Sequence, residues 1–403
     1  MSMWWSEPLR RLGIPRAART NAATDFVAAI FYGAFGGLTV PFIPVMGRRL
    51  GASTLEVSLL VAAPAVVLLL SLWLVTPIRS VHPVRLVVWA TMLGRMLFLL
   101  LPAIQSPEAY VAVIVLHYAI ASIGTLGYAQ VMRAVYPEAV RGRIMALVRV
   151  GMAVAWVTGS LVGGRVMQGV AFQWVFAVAG LLGMASSAVF SRVRAPARPQ
   201  EMEAVELRTT WRLLRDDRAY RRFLWGFFLF GFGGWLTGPA IPILLVDVLH
   251  ATTLQVGLLG AITSGMWLLS YPVWGRMIDR RTATGAVSMM FVIGTVTALI
   301  YLTAGNAWVV LLAGVTDGLT SAGVDLGWLT AVLQYAPAGR VVHYVAIFNT
   351  LVGIRGSTAP FLTGVLIPAI GVRWIFAIAA ALMLAGAGTM RAAAAPRAGS
   401  SGA

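Results

Sequence analysis

Six ionisable side chains stand inside long apolar runs, where charge is costly. They are Arg95, His117, Arg149, Asp317, Asp325 and Arg355. An ionisable group at mid-membrane costs several kcal/mol, about 2.5–3.5 on insertion scales for Arg or Asp, so such groups are paired or do work. The work open to them is uptake and release of a proton, or capture of a charged solute. Asp317 and Asp325 are eight residues apart, which is about 80° around a helix, so they share a broad face. Ser321 lies between them and Trp328 falls near the same face. Two alternatives stay open for this face. In one, Asp317 or Asp325 exchanges a proton as its surroundings change, with His117 as a further titratable group. In the other, Asp317 and Arg355 form a fixed pair between neighbouring helices. Arg95 reads as part of a buried network near Gly94, and Asp25 as a cap or interface charge at a helix end. Tyr32, Trp267 and Trp328, with Arg95, Arg149, Ser321 and Arg355, are the candidates to line a solute cavity.

These residues need a scaffold, and the composition says which kind. The 403 residues are 59% hydrophobic and 11% charged, with mean hydropathy +0.83. Such a chain cannot cover a soluble domain of this size with charge. A helix crosses the hydrocarbon layer with about 20 apolar residues. Twelve runs qualify, near 23–46, 54–75, 86–104, 109–132, 144–166, 174–190, 223–246, 254–275, 285–303, 307–332, 342–365 and 374–390. The start holds Trp4, Trp5 and four Arg without a long apolar core, so it reads as an interfacial helix and not a signal peptide. All 31 basic residues are Arg. With both termini in the cytoplasm, inside segments carry 24 of them and outside segments four. That asymmetry obeys the positive-inside rule. It assigns the net charge of +17 to orientation and excludes nucleic acid as partner.

A polar stretch over 191–222 separates two halves, and the halves repeat. Leu38-Thr39-Val40-Pro41-Phe42-Ile43-Pro44 matches Leu236-Thr237-Gly238-Pro239-Ala240-Ile241-Pro242 at a shift of 198, and Thr54-Leu55-Glu56-Val57 matches Thr253-Leu254-Gln255-Val256 at 199. Tyr136 and Arg141 match Tyr335 and Arg340, again at 199. Six spans return the chain to its starting side, so the repeats are parallel. Pro41 and Pro239 are expected at matching bends. The expected parts are a cytoplasmic segment 1–22, a six-helix bundle 23–190, a linker 191–222, a second bundle 223–390 and a tail 391–403. With no Lys and no Cys, a phosphate-binding loop and a disulfide framework are excluded. No hydrolytic triad or metal cluster is legible, so neither an enzyme nor a cofactor is expected.

The segment after the eighth span, Gly275-Arg276-Met277-Ile278-Asp279-Arg280-Arg281, resembles the cytoplasmic signature of the major facilitator superfamily, Gly-x-x-x-Asp-Arg followed by basic residues. The matching place in the first half, Thr76-Pro77-Ile78-Arg79-Ser80-Val81, lacks both the Gly and the Asp. In the fifth span, Gly159-Ser160-Leu161-Val162-Gly163-Gly164 is similar to the Gly-Pro-x-x-Gly-Gly motif of that superfamily's drug–proton exporters, with Ser160 in place of Pro. His117 stands where the family often holds an Arg. The resemblance covers about residues 20–390. It implies an all-α membrane protein of twelve transmembrane helices, two six-helix parallel repeats in the major facilitator fold. It also implies a gating loop at Gly275, Asp279, Arg280 and Arg281. The expected protein is a monomeric, multi-pass transporter in the lipid bilayer of a bacterial-type cell (inner) membrane. It exports small, fairly apolar molecules by alternating access, with protons as coupling ion. The alternatives are import of a polar or anionic solute on membrane-embedded Arg, and a non-transporting receptor on the same scaffold.

Overall fold

A computed structural model describes residues 13–78, 82–195, 215–280, 283–337 and 339–394. The interfacial-helix expectation over 1–12, most of the linker (196–214), the loop residues 79–81 and Arg281 lie outside the described residues. Every described element is helical. In chain order the spans are α1 (Arg16–Thr39, resuming as Ile43–Arg49), α2 (Thr54–Ile78), α3 (Pro83–Met96, extended by a tight turn Leu97–Ala103), α4 (Pro107–Val135), α5 (Glu138–Val166) and α6 (Phe172–Phe190). The second series is α7 (Arg218–Ile243, with a wide turn Leu244–Val248), α8 (Thr253–Arg280), α9 (Ala283–Thr303), α10 (Val310–Tyr335), α11 (Val341–Ile370) and α12 (Val372–Ala394). The twelve spans are those the apolar runs mark. They extend past the runs by up to several residues, because a helix continues beyond the hydrocarbon until its end is capped. Ten of the described helices are by themselves long and apolar enough to cross a membrane. Their outward faces carry what a soluble surface would not. Leu269 is 69% exposed, Trp374 65% and Trp89 63%, as lipid contact requires.

Two compact units emerge: residues 1–202 with 250–265, and residues 203–249 with 266–403. In the first, α1 packs along α5 and α6, and α3 packs on α4 and α6. The second repeats this pattern, with α7 on α11 and α12 and α9 on α10 and α12. The same contacts six helices later are the structural form of the sequence repeat.

The two duplicated prolines do not act alike. At Pro41 the helix stops: Thr39 ends the first part of α1 and Ile43 opens the second. Pro239 sits inside an unbroken α7, and the disturbance appears after Pro242, where Leu244–Val248 widens into a π turn. A proline removes one backbone bond and crowds the preceding turn. A helix answers either by breaking or by inserting a wide turn downstream.

Candidate functional site

The second unit holds a cavity of about 470 Å³, a size suited to a small organic ligand. α7 lends Phe227, Phe230, Gly231 and Trp235. α10 lends Asp317, Ser321, Asp325 and Trp328, and α11 lends Phe348, Asn349 and Arg355. Beyond Arg222, α7 is built almost wholly of apolar residues and glycine, while α10 contributes one polar face.

Two of the rings form a flat wall. Trp328 stacks on Phe348 at 4.9 Å and 12°. Behind the lining, Phe291 lies parallel to Phe230 at 3.9 Å. Arg355 is 7% exposed. Its Nη1 donates to the Phe227 carbonyl at 2.5 Å, and its head lies 5.3 Å from the Phe227 ring. Its Nε has no hydrogen-bond partner among the described residues. Room for this guanidinium comes from Gly231, where any Cβ would collide with Nη1. Asp325 accepts a hydrogen bond from the Tyr271 hydroxyl of α8. Asp317 lines the cavity and makes no hydrogen bond or ion pair among the described residues, with Tyr301 in electrostatic reach. The fixed Asp317–Arg355 pair, one of the two alternatives for this face, is absent from this conformation.

The other candidates lie elsewhere. Trp267 is half-buried beside Tyr271, edge to face at 4.9 Å, and does not line this cavity. Tyr32, Arg95 and His117 meet in the first unit. Arg95 Nη1 donates to the Gly183 carbonyl at 2.6 Å and to Ser187 Oγ at 2.9 Å, and its head lies 5.1 Å from the Tyr32 ring. His117 Nδ1 is 2.8 Å from the Gly94 carbonyl, and the ring is wedged edge to face against Phe98 and Phe35. Arg149 is exposed on α5 and has a partner of its own.

Gly159, Gly163 and Gly164 are contact glycines. A Cβ at Gly159 would lie 3.0 Å from the Ala34 carbonyl, and one at Gly163 3.2 Å from Leu38 and Phe42 of α1. At Gly164 it would lie 2.8 Å from the Thr253 carbonyl at the start of α8. Ser160, where the motif expects Pro, donates to the Gly37 carbonyl at 3.2 Å.

The expected gating loop is helix as far as it is described. Gly275, Asp279 and Arg280 occupy the last two turns of α8, which runs on through Pro272 to Arg280. Asp279 and Arg280 are exposed, and Arg281 lies outside the described residues. Asp25 is likewise no cap. α1 begins at Arg16, earlier than its apolar run, which puts Asp25 within the helix at 2% exposure. The hydroxyls of Tyr136 and Tyr128 donate to it at 3.2 and 3.4 Å.

Sequence reasoning does not single out Phe227, Phe230, Phe348 or Asn349. In a uniformly apolar helix no periodicity separates a cavity wall from a lipid face.

Known proteins share both the sequence pattern and the shape. A model of the Major Facilitator Superfamily matches residues 26–354 and 223–401. The multidrug transporter MdfA of Yersinia pestis bv. Antiqua (strain Angola) is 26% identical over 215 residues, 51% of this chain and 49% of that protein. The chain thus spans about half the length of the curated relatives it matches. Among solved structures, the nucleoside transporter NupG overlays with TM-score 0.71 at 11% identity, covering 93% of this chain and 98% of that one. A bacterial homolog of the human lysosomal transporter Spinster, inward-facing and unoccupied, gives TM-score 0.64 at 12% identity over 94% and 96%. These two likenesses speak for the fold. With the family match spanning both six-helix series, the chain belongs to the Major Facilitator Superfamily, a family of multi-pass membrane transporters and not of enzymes.

Proposed function

We propose that this chain is a secondary transporter that exports small, fairly apolar molecules in exchange for protons, by alternating access across a bacterial-type cell membrane. Both termini lie on the cytoplasmic side, and the chain works as a monomer. The observation that carries the reading is the second-unit cavity. It joins an aromatic wall, Trp328 on Phe348, to an acid, Asp317, that no side chain occupies. Apolar walls with a few placed polar groups are what a small-molecule site needs. A carboxyl group whose access to water changes between two states exchanges its proton at each change. That links proton movement to the change of facing. The partial match to a protein named as a multidrug transporter favours export.

The test is transport in proteoliposomes with a fluorescent lipophilic dye, with and without an imposed proton gradient. With an uncharged dye, which makes no ion pair with the carboxylate, Asp317→Asn is expected to cut gradient-driven accumulation by about tenfold or more while dye binding changes by less than about threefold, the mark of a coupling group. Asp325→Asn should lower it less, because Asp325 already holds the Tyr271 hydroxyl. If both variants still concentrate dye at the parent rate, the acids are structural and the coupling assignment is wrong.

A further inference from the structure

Arg355 and Asp317 face one cavity, yet neither is neutralised within it. The guanidinium is nine-tenths buried. Its Nη1 is spent on the Phe227 carbonyl, a neutral group, and its Nε has no acceptor among the described residues. A buried cation with no counter-charge is a costly arrangement that a bound anion relieves. The arrangement is also a built one. Gly231 leaves the berth in which the guanidinium lies, since any Cβ there would collide with Nη1. The Phe227 ring stands over the head at 5.3 Å. The pocket therefore holds Arg355 in place rather than letting it swing to the acid.

The two acids of α10 differ in the same way. Asp325 takes a hydrogen bond from Tyr271. Asp317 has neither hydrogen bond nor ion pair among the described residues; the Tyr301 hydroxyl is within electrostatic reach but gives it no counter-charge. An unpaired acid and an unpaired base in one apolar-walled space are complementary to a ligand that carries both signs.

We propose that this cavity binds an amphipathic zwitterion, with its anionic group on Arg355, its cationic group on Asp317 and its apolar body against the Trp328–Phe348 stack. The proposal deepens the export reading and rests on it for the identity of the site. It also gives the exchange a physical form. A proton arriving on Asp317 neutralises the anionic partner of the ligand's cationic group, so proton and ligand compete for one carboxylate.

Tryptophan, tryptamine, indole-3-propanoate and indole-3-propanamide share one apolar body and differ in charge. Their binding to the full chain in detergent is measured by calorimetry near neutral pH. Tryptophan is expected to bind at least about tenfold more tightly than each of the other three. Arg355→Gln should bring tryptophan down to the affinity of tryptamine while leaving tryptamine itself within about twofold. Asp317→Asn should do the mirror image, bringing tryptophan down to indole-3-propanoate. Gly231→Ala keeps every charge but fills the berth, and should weaken tryptophan and indole-3-propanoate together. It keeps the idea testable if Arg355→Gln does not fold. Equal binding of the four probes, a preference for a singly charged one, or no binding of any would overturn the assignment. If tryptophan is preferred as stated but a proton gradient drives no transport, the exchange reading fails and the ligand class stands. If the gradient drives dye export while the four probes bind alike, the ligand class fails and the exchange stands.

Discussion

Arg95 and Arg355 are each 7% exposed, and they are satisfied to different degrees. Arg95 reaches a carbonyl and a hydroxyl on α6, at Gly183 and Ser187, and is covered by the Tyr32 and Phe35 rings. Its role is to tie α3 to α6. Ser187→Ala removes one of its acceptors and leaves a charged donor buried, which costs about 1–3 kcal/mol. A lowered melting temperature with unchanged ligand affinity is expected; an unchanged melting temperature would mean that water replaces the hydroxyl. Gly231→Ala is expected to cost about 1–3 kcal/mol by overpacking, and to lower ligand affinity as well, because the added Cβ displaces the Arg355 guanidinium from its berth. The residue types were legible: six ionisable groups in apolar runs. Their partners were not, because each guanidinium is answered by a backbone carbonyl, Arg95 at 88 residues' separation and Arg355 at 128. Carbonyls carry no sequence signal.

Helix contacts in the first unit depend on bare backbone. α5 lies along α1 at Gly159 and Gly163, and its Gly164 meets the start of α8, where a Cβ on Gly257 would collide with the Ser160 carbonyl. Without a hydrophobic effect to join helices in lipid, small residues that permit close packing take its place. Gly257→Val should therefore separate α5 from residues 253–260, with a loss of about 1–3 kcal/mol, read as earlier unfolding in a detergent titration. Equal stability of the variant would show that this approach contributes nothing. The same glycines read in the sequence as an exporter motif. In the structure they are packing surface in the described conformation. A glycine's spacing says that something comes close, and the structure says what. The duplicated prolines make the same point. Their positions were legible, while the choice between a break at Pro41 and a π turn after Pro242 depends on what packs around each.

For the whole molecule, orientation is the quantity that the arginine distribution addresses. The chain has no cysteine, so single cysteines report sidedness without background. In cells, a membrane-impermeant maleimide is expected to label Gly305→Cys, in the loop between α9 and α10, from outside. His82→Cys, between α2 and α3, should be labelled only after the membrane is opened. The reverse pattern would overturn the assignment of both termini to the cytoplasm. The sequence by itself determined the twelve spans, the parallel six-plus-six repeat and the shared face of Asp317, Ser321, Asp325 and Trp328. Each of these is local: span length follows from bilayer thickness, the repeat from a constant shift, and the face from helical pitch. Only the tertiary structure decided that this face meets Phe227, Phe348 and Arg355 in one cavity. It also separated Tyr32, Arg95 and His117 into a packed network of the first unit. Those outcomes depend on which helices touch. In spans apolar on every side, contacts are chosen by shape and backbone approach, which the order of residue types along one helix does not encode.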